Sequence, residues 1–219
     1  MFPMSRLPRI LLASGAACAL ALSPAVAFAA QPGDIEPIYD AIDDAPFDLT
    51  VAGTFETGIF DAGASEIVQA YENRLFSVNA AAGTVFAIDM TDPTRMTELY
   101  QVGAEGSVAN SVAIRADGLG VVALEDAGDK TAPGRVLFFD ANADEPTVLG
   151  TVTVGSLPDM VTVSPDGAYA VVANEGEPAD DFSSDPEGSV GVIALPGELA
   201  APTQADVRTA DFHAFEGVE

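Results

Sequence analysis

One short stretch of the sequence, residues 173–188, concentrates groups that bind metal ions: it reads ANEGEPADDFSSDPEG and contains no Lys or Arg. Calcium takes about six to eight oxygen ligands from carboxylates, backbone carbonyls and water. The Gly and Pro residues of the stretch favour turns that would aim backbone carbonyls inward. We therefore expect a calcium site. The expected ligands are the carboxylates Glu175, Glu177, Asp181, Asp185 and Glu187.

A solvated acidic loop without a bound ion is the alternative interpretation of this stretch. Its spacing does not match the EF-hand pattern D-x-[DN]-x-[DN]-G. Six carboxylates without an internal base repel one another, which favours a bound cation. Secondary candidates for the same site are Asp126, Asp129, Asp159 and Asn174. Asp159 could instead cap a turn after Pro158, and Asn174 could occupy a tight bend.

The first thirty residues have the pattern of a secretory signal peptide. Arg6 and Arg9 precede an apolar run at 10–22, and Ala-Phe-Ala at 27–29 provides a small-x-small cleavage motif. We expect cleavage after Ala29 or Ala30 and a mature protein that is secreted, periplasmic or at the cell surface. No transmembrane segment is expected in the mature chain after cleavage.

The mature chain is strongly acidic and lacks cysteine. Cys18, the single cysteine, lies inside the apolar run, so no disulfide is expected. Loss of Arg6 and Arg9, two positive charges, changes the formal charge from −26 to −28. Such a surface disfavours nucleic acid and favours divalent cations as partners. Excess acid also keeps a secreted protein soluble, which is a simpler reason for many of these carboxylates.

An internal repeat predicts the fold. The segments NSVAIRADGLGVVALE (110–125) and DMVTVSPDGAYAVVANE (159–175) align with their Asp-Gly pairs 49 positions apart, and EIVQAYENRLFSVN (66–79) is an earlier copy. Each reads as a hairpin of two short apolar strands. Third strands are expected at 83–89, 134–140 and 188–194, and fourth strands at 96–103, 147–155 and 205–212. Four short strands per repeat predict an all-β propeller built of four-stranded blades, and a β-sandwich is the alternative.

The predicted domain is 31–219, with repeats at about 63–106, 107–155 and 156–212. About three blades are present, whereas a closed ring typically needs about four to eight. We therefore expect an N-terminal part of a longer propeller. The remaining stretch 47–60 could be an outer strand that joins the last blade and closes the ring.

The connection from the second to the third strand lengthens from repeat to repeat. It spans 4 positions from Asn79 to Gly83, 9 from Glu125 to Gly134 and 14 from Asn174 to Gly188. In an up-and-down blade these connections all lie on one face, together with the loops between blades. The acidic stretch is the longest of them, and loops on a rigid scaffold commonly carry function.

These motifs resemble a known family. FDAGASEIV (60–68), KTAPGRVLFFD (130–140), LPDMVTVSPDG (157–167), ANEGEP (173–178) and DPEGSV (185–190) resemble the choice-of-anchor I family. Its members are secreted bacterial β-propellers, similar to YVTN-repeat surface proteins and in outline to propeller phytases. They are often labelled alkaline phosphatase-like. The resemblance implies a fold and a cell-surface location, and it supplies no catalytic residues.

Two functions remain open from the sequence. The first is a binding or interaction module with a calcium-binding loop face, whose partner could be a surface protein. The second is a calcium-dependent phosphoester hydrolase acting on a phosphorylated small molecule through bridging cations, with Lys130 and Arg135 as basic phosphate ligands. No G-x-S-x-G motif and no Cys-His metal set occurs, and His213 is expected at the surface or in packing.

Overall fold

The computed structural model describes residues 50–217, whose regular secondary structure is almost entirely β-strand. Three four-stranded antiparallel sheets follow one another along the chain, each with its strands in sequence order. The first sheet contains β1 (Val68–Tyr71), β2 (Arg74–Asn79), β3 (Thr84–Asp89) and β4 (Thr97–Val102); the second contains β5 (Ser107–Ile114), β6 (Leu119–Asp126), β7 (Pro133–Asp140) and β8 (Val148–Ser156); the third contains β9 (Pro158–Val163), β10 (Tyr169–Asn174), β11 (Ser189–Ala194) and β12 (Val207–Ala210). Two 3-10 turns cover Gln204–Asp206 and His213–Phe215.

These sheets are the blades of a β-propeller, and the three described blades do not close a ring. The apolar side chains of successive blades meet face to face, as alternation along each strand requires. One core lies between the first and second blades around Phe76 and Phe139, whose ring centroids are 5.5 Å apart. The other lies between the second and third blades around Phe138 and Ile193. Packing between blades, rather than within one sheet, therefore forms the hydrophobic core.

The hairpins turn where the sequence predicts. Gly118 and Gly167 have φ values of +93° and +72°, a backbone conformation that glycine adopts without strain. Asp117 and Asp166 precede them, and the carboxylate of Asp166 accepts the backbone N–H of Ala168 at 3.1 Å. The Asp-Gly pairs thus set the β5–β6 and β9–β10 turns on the face opposite the long acidic loop.

Two arginines join neighbouring blades on that opposite face. Arg74 donates to the carbonyl oxygens of Ala141, at 3.1 Å, and of Ala143, and it pairs with Asp144 at 2.6 Å. It thereby connects the β1–β2 hairpin to the β7–β8 loop. Arg115 makes the corresponding connection from the second blade to the third. Each arginine lies in the first hairpin of its own blade. Its side chain reaches the loop that precedes the fourth strand of the next blade.

The segment before the first blade lies against that blade and contains no strand within residues 50–67. The ring of Phe55 packs edge-on against Phe86, with centroids 5.7 Å apart, and the hydroxyls of Ser65 and Ser77 are 2.8 Å apart. The outer strand expected over 47–60 therefore has no strand partner here. The expected signal peptide at 1–30 and positions 47–49 lie outside the described residues.

Candidate functional site

The candidate site is the face that carries the connections from second to third strands, which we call the loop face. Its three loops are residues 80–83, 127–132 and 175–188. Gly83 approaches the backbone carbonyl of Ser107, which places the first loop beside the start of the second blade. The hydroxyl of Ser156, at the end of β8, donates to the carbonyl of Thr131 at 2.7 Å, which ties the second loop to the last strand of the same blade.

Lys130 joins the two longer loops. Its Nζ lies 3.3 Å from Oε2 of Glu177 and 3.0 Å from Oδ1 of Asp180. Hydrogen bonds to Asp180 and Glu177 raise the pKa of Lys130, which remains a cation at neutral pH. The acidic stretch contains no base of its own, so its partner comes from a loop 47 residues earlier in the chain. The sequence predicts that these loops share a face, but it does not predict this contact.

Backbone hydrogen bonds hold the long loop at its base and near its tip. The N–H of Glu175 donates to Leu157 at 2.9 Å, and the N–H of Ala179 donates to the carbonyl of Ser184 at 2.8 Å. Gly176 has a φ of +68°, and its Cα faces the backbone of residues 186–188, so a side chain would not fit there. Phe182 projects from the tip with 80% of its surface exposed.

The five predicted metal ligands do not converge in this conformation. Glu177 pairs with Lys130, and Asp181 accepts the N–H of Ser183 at 3.0 Å. Hydrogen bonds from Ser183 lower the pKa of Asp181. Glu175 and Asp185 are exposed.

The fifth predicted ligand, Glu187, pairs with the only histidine. Its Oε2 lies 2.8 Å from Nε2 of His213, whose Nδ1 is 3.3 Å from Asp211. The hydrogen bond and the charge of Glu187, followed by the charge of Asp211, raise the pKa of His213. Over residues 50–217 no three His, Cys, Asp or Glu side chains are gathered closely enough to hold a metal ion. The calcium site stays a prediction, and it requires the carboxylates to exchange these partners for the ion.

The secondary candidates have local structural roles. Asp126 accepts the N–H groups of Gly128 and Asp129, and Asp129 accepts the N–H and hydroxyl of Thr131, at distances from 2.7 to 3.1 Å. These contacts shape the second loop. Asp159 is exposed at the start of β9.

Asn174 is buried, with 3% of its surface exposed, at an irregularity where β10 pairs with β9. Its Nδ2 donates to the hydroxyl of Ser189 at 3.2 Å, while its buried Oδ1 has no partner in this structure. Its side chain lies beside Gly155 of the second blade, so its position is part of the contact between blades.

Glu125, near the end of β6, is a loop-face carboxylate whose pKa is raised by its surroundings. Its side chain is half-buried, and burial is the main cause that raises its pKa. The carboxylates of Glu177 and Asp159 raise this pKa further, while Asn110 and Lys130 act against the shift. Residues from the second and third blades thus form one electrostatic unit around Glu125. Only the spatial arrangement, and not the local sequence, singles it out.

The other basic candidate is engaged elsewhere. Arg135 donates to the hydroxyl of Ser107 at 2.5 Å and to the carbonyl of Glu105 at 3.5 Å. On the opposite face, an open groove of about 630 Å³ lies between the Asp-Gly turns and residues 195–197. Arg115 lines this groove, but its guanidinium is already bonded to Asp117 and to backbone carbonyls. No helix among residues 50–217 is long and apolar enough to cross a membrane.

Three consecutive four-stranded blades with a shared loop face define the class of protein, a β-propeller. The chain belongs to the choice-of-anchor I family: the profile of the choice-of-anchor I domain matches residues 66–219. Family membership implies an extracellular or cell-surface protein. No curated protein sequence matches the chain.

Several solved structures match part of the chain. Hydrazine synthase of Kuenenia stuttgartiensis has 19% identity and a TM-score of 0.49, covering 73% of this chain and 40% of that one. A protein from Lactobacillus plantarum has 18% identity and a TM-score of 0.47, and the match covers 66% of this chain and 42% of the Lactobacillus protein. A protein of unknown function from Bacteroides caccae has 13% identity and a TM-score of 0.35, covering 71% and 63%. The chain thus spans less than two thirds of the length of each.

Proposed function

We propose that the protein is a secreted or cell-surface binding module that uses its loop face as the binding surface. One observation carries this proposal: Lys130 of the second blade bridges Glu177 and Asp180 of the third, so that loops from different blades form one joined surface. A rigid scaffold that presents long, ordered loops on one face is a common basis for recognition. The twelve strands would provide that scaffold.

The charge of the loop face indicates the chemistry of its partners. Residues 175–188 carry six carboxylates, and the one Lys of the mature chain is already bonded to two of them. Divalent cations and positively charged groups of a surface protein fit such a face. Calcium is the proposed ion, held by Glu175, Glu177, Asp181, Asp185 and Glu187. Binding would replace the contacts of Glu177 with Lys130 and of Glu187 with His213.

The phosphoester-hydrolase alternative depends on the same ion. An acidic face approaches a phosphate only through bridging cations. Its basic candidates, Lys130 and Arg135, are bonded to Glu177 and Ser107 in this structure. The alternative therefore stays a prediction that loses its basis if the loop does not bind calcium.

Thermal unfolding of the mature protein with millimolar calcium, and then with a chelator, tests the proposal. A ligand that binds only the folded state raises stability by mass action. We expect the melting temperature to rise with calcium, and we expect the combined Asp181→Asn and Asp185→Asn variant to lose that rise.

Asp166→Asn is the matched control. Asp166, like Asp181, accepts a backbone N–H two residues further on, but it lies on the opposite face. This variant should keep the calcium-dependent rise. An unchanged melting temperature of the unmodified protein would reject calcium binding and leave 175–188 as a solvated acidic loop.

A further inference from the structure

Phe182, at the tip of the long loop, has a backbone conformation that its residue type disfavours. Its φ is +57°, in the left-handed region that glycine adopts freely and that strains a residue with a bulky side chain. The first loop of the same face has Gly83, with a φ of +69°, at its left-handed position. Glycine or asparagine would form the tip of the long loop with less strain, so the folding of this loop does not explain a phenylalanine there.

Burial of the side chain does not offset this strain. The ring of Phe182 is largely exposed and belongs to neither hydrophobic core. Leu157 also has a positive φ, of +47°, but its side chain is buried, and the apolar surface that it removes from water compensates for the strain. A strained residue without such compensation indicates a role in function rather than in folding.

The tip of the loop is ordered by contacts within the loop and with the second blade. The N–H of Phe182 donates to the carbonyl of Ala179 at 2.9 Å, and the N–H of Ala179 donates to the carbonyl of Ser184 at 2.8 Å. Inside the turn that these two bonds close, the carboxylate of Asp180 lies 3.0 Å from Nζ of Lys130. The position of the ring is therefore set before a partner binds, which lowers the entropic cost of binding.

The charges beside the ring indicate the chemistry of that partner. Asp180 and Asp181 precede Phe182, Asp185 follows it by three positions, and all three are exposed. The complement of this tip is a surface that is apolar opposite the ring and basic around it, and the face of the ring itself attracts Lys and Arg. A lipid bilayer fits less well, because insertion of the ring would carry the neighbouring carboxylates toward the apolar interior.

We propose that Phe182 is the apolar anchor through which the loop face binds a basic segment of a partner protein, one that carries apolar side chains next to lysine or arginine. The ring packs on the apolar side chains, while Asp181 and Asp185 pair with the basic ones. This role of Phe182 rests on the proposed binding function of the loop face, and it adds the anchoring residue and the chemistry of the partner. A few anchoring side chains commonly carry most of the affinity of an interface.

Two synthetic peptides of equal charge are the probes. The peptide KLLKLLKLLK carries leucines beside its lysines, and KSSKSSKSSK has serine in place of every leucine. Titration calorimetry with the mature protein measures their binding in the presence of a chelator, so that calcium does not contribute. We expect the leucine peptide to bind, the serine peptide to bind roughly tenfold more weakly, and high salt to weaken both.

Phe182→Asn removes the ring and introduces a residue that tolerates the left-handed conformation. This variant should therefore fold with an unchanged or higher melting temperature. It should bind the leucine peptide roughly tenfold more weakly than the unmodified protein does, and the serine peptide equally well. Phe60→Asn is the matched control, because Phe60 is even more exposed than Phe182 and lies outside the long loop. It should bind both peptides as the unmodified protein does.

Three results would overturn the role of Phe182: no binding of the leucine peptide, equal affinity of the unmodified protein for both peptides, or unchanged binding by Phe182→Asn. Binding to phosphatidylcholine vesicles that depends on Phe182, without binding of the leucine peptide, would instead assign the ring to a lipid surface. Peptide binding that survives loss of the ring would reject the anchor but keep the loop face as a binding surface. Absence of peptide binding together with no effect of calcium on the melting temperature would reject both.

Discussion

The guanidinium of Arg115 in the second blade donates a hydrogen bond of 2.6 Å to the backbone carbonyl of Pro196 in the third. Arg74 makes the same kind of bond to Ala141 one blade earlier. Each arginine satisfies carbonyls in the connection before a fourth strand, groups that would otherwise depend on water. The two contacts hold the blades together on the face opposite the acidic loop.

Replacement of Arg115 by methionine should destabilise the protein by about 2–4 kcal/mol. The side chain of Arg115 is only 8% exposed, and the substitution removes the ion-pair partner of Asp117 and the donor to three backbone carbonyls. The exposure of Asp117 places the expected loss at the lower part of that range. Denaturant unfolding measures the effect. Arg208→Met, at an exposed arginine that donates to nearby carbonyls, should change little, and equal losses in both variants would contradict the role of the blade contact.

Glu125→Gln should stabilise the protein at neutral pH. Burial raises the pKa of Glu125 above 4.5, so the folded state favours the protonated carboxyl. The stability gained from this protonation is fully present below pH 4.5 and is lost as the pH rises through the pKa of the folded state. The glutamine removes the charge that opposes folding above that pKa. With solvent screening, the gain at pH 7 should be less than about 1 kcal/mol.

Unfolding curves collected with chelator at several pH values measure this effect. The advantage of the glutamine variant should shrink toward zero below pH 4.5. Glu145→Gln, at an exposed position, is the matched control, and at pH 7 it should be as stable as the unmodified protein. A glutamine variant of Glu125 that is less stable at pH 7 would show that the charged carboxylate is needed for folding.

Lys130→Met should loosen the long loop without unfolding the blades. The ion pairs of Lys130 with Glu177 and Asp180 are solvent-exposed, and such pairs contribute little to global stability. We expect a similar melting temperature but faster amide exchange over 175–188. High salt should produce part of the same change in the unmodified protein by screening.

Lys130→Arg, which keeps the positive charge, is the control for the methionine variant and should retain slow exchange. If the methionine variant exchanges at the original rate, Lys130 does not order the loop. The joined surface proposed for the loop face would then lose its support.

The blades are predictable from the sequence because each repeat carries its own local signals. Alternating apolar strands, Asp-Gly turns and a period near 49 residues define hairpins without knowledge of distant contacts. The same pattern assigns the acidic stretch to one face. These predictions succeed since strand pairing and turn chemistry act over short sequence distances.

The detailed arrangement of the site depends on contacts that are distant in sequence. Lys130 reaches Glu177 because neighbouring blades place their loops side by side, and Glu187 reaches His213 because both residues continue the register of the β11–β12 pair beyond its end. Asn174 lies in the contact between blades rather than in a simple bend because β10 packs on Gly155. No local pattern encodes these pairings, so the sequence predicts the acidic loop but not its partners.

Amide exchange over 175–188, measured with and without calcium at matched ionic strength, tests the central claim most directly. If calcium binds the loop face, exchange in 175–188 should slow while the Asp117-Gly118 turn on the opposite face stays unchanged. The Asp181→Asn and Asp185→Asn variant should lose the effect. Unchanged exchange in 175–188 at millimolar calcium would contradict the account and identify the stretch as a solvated acidic loop.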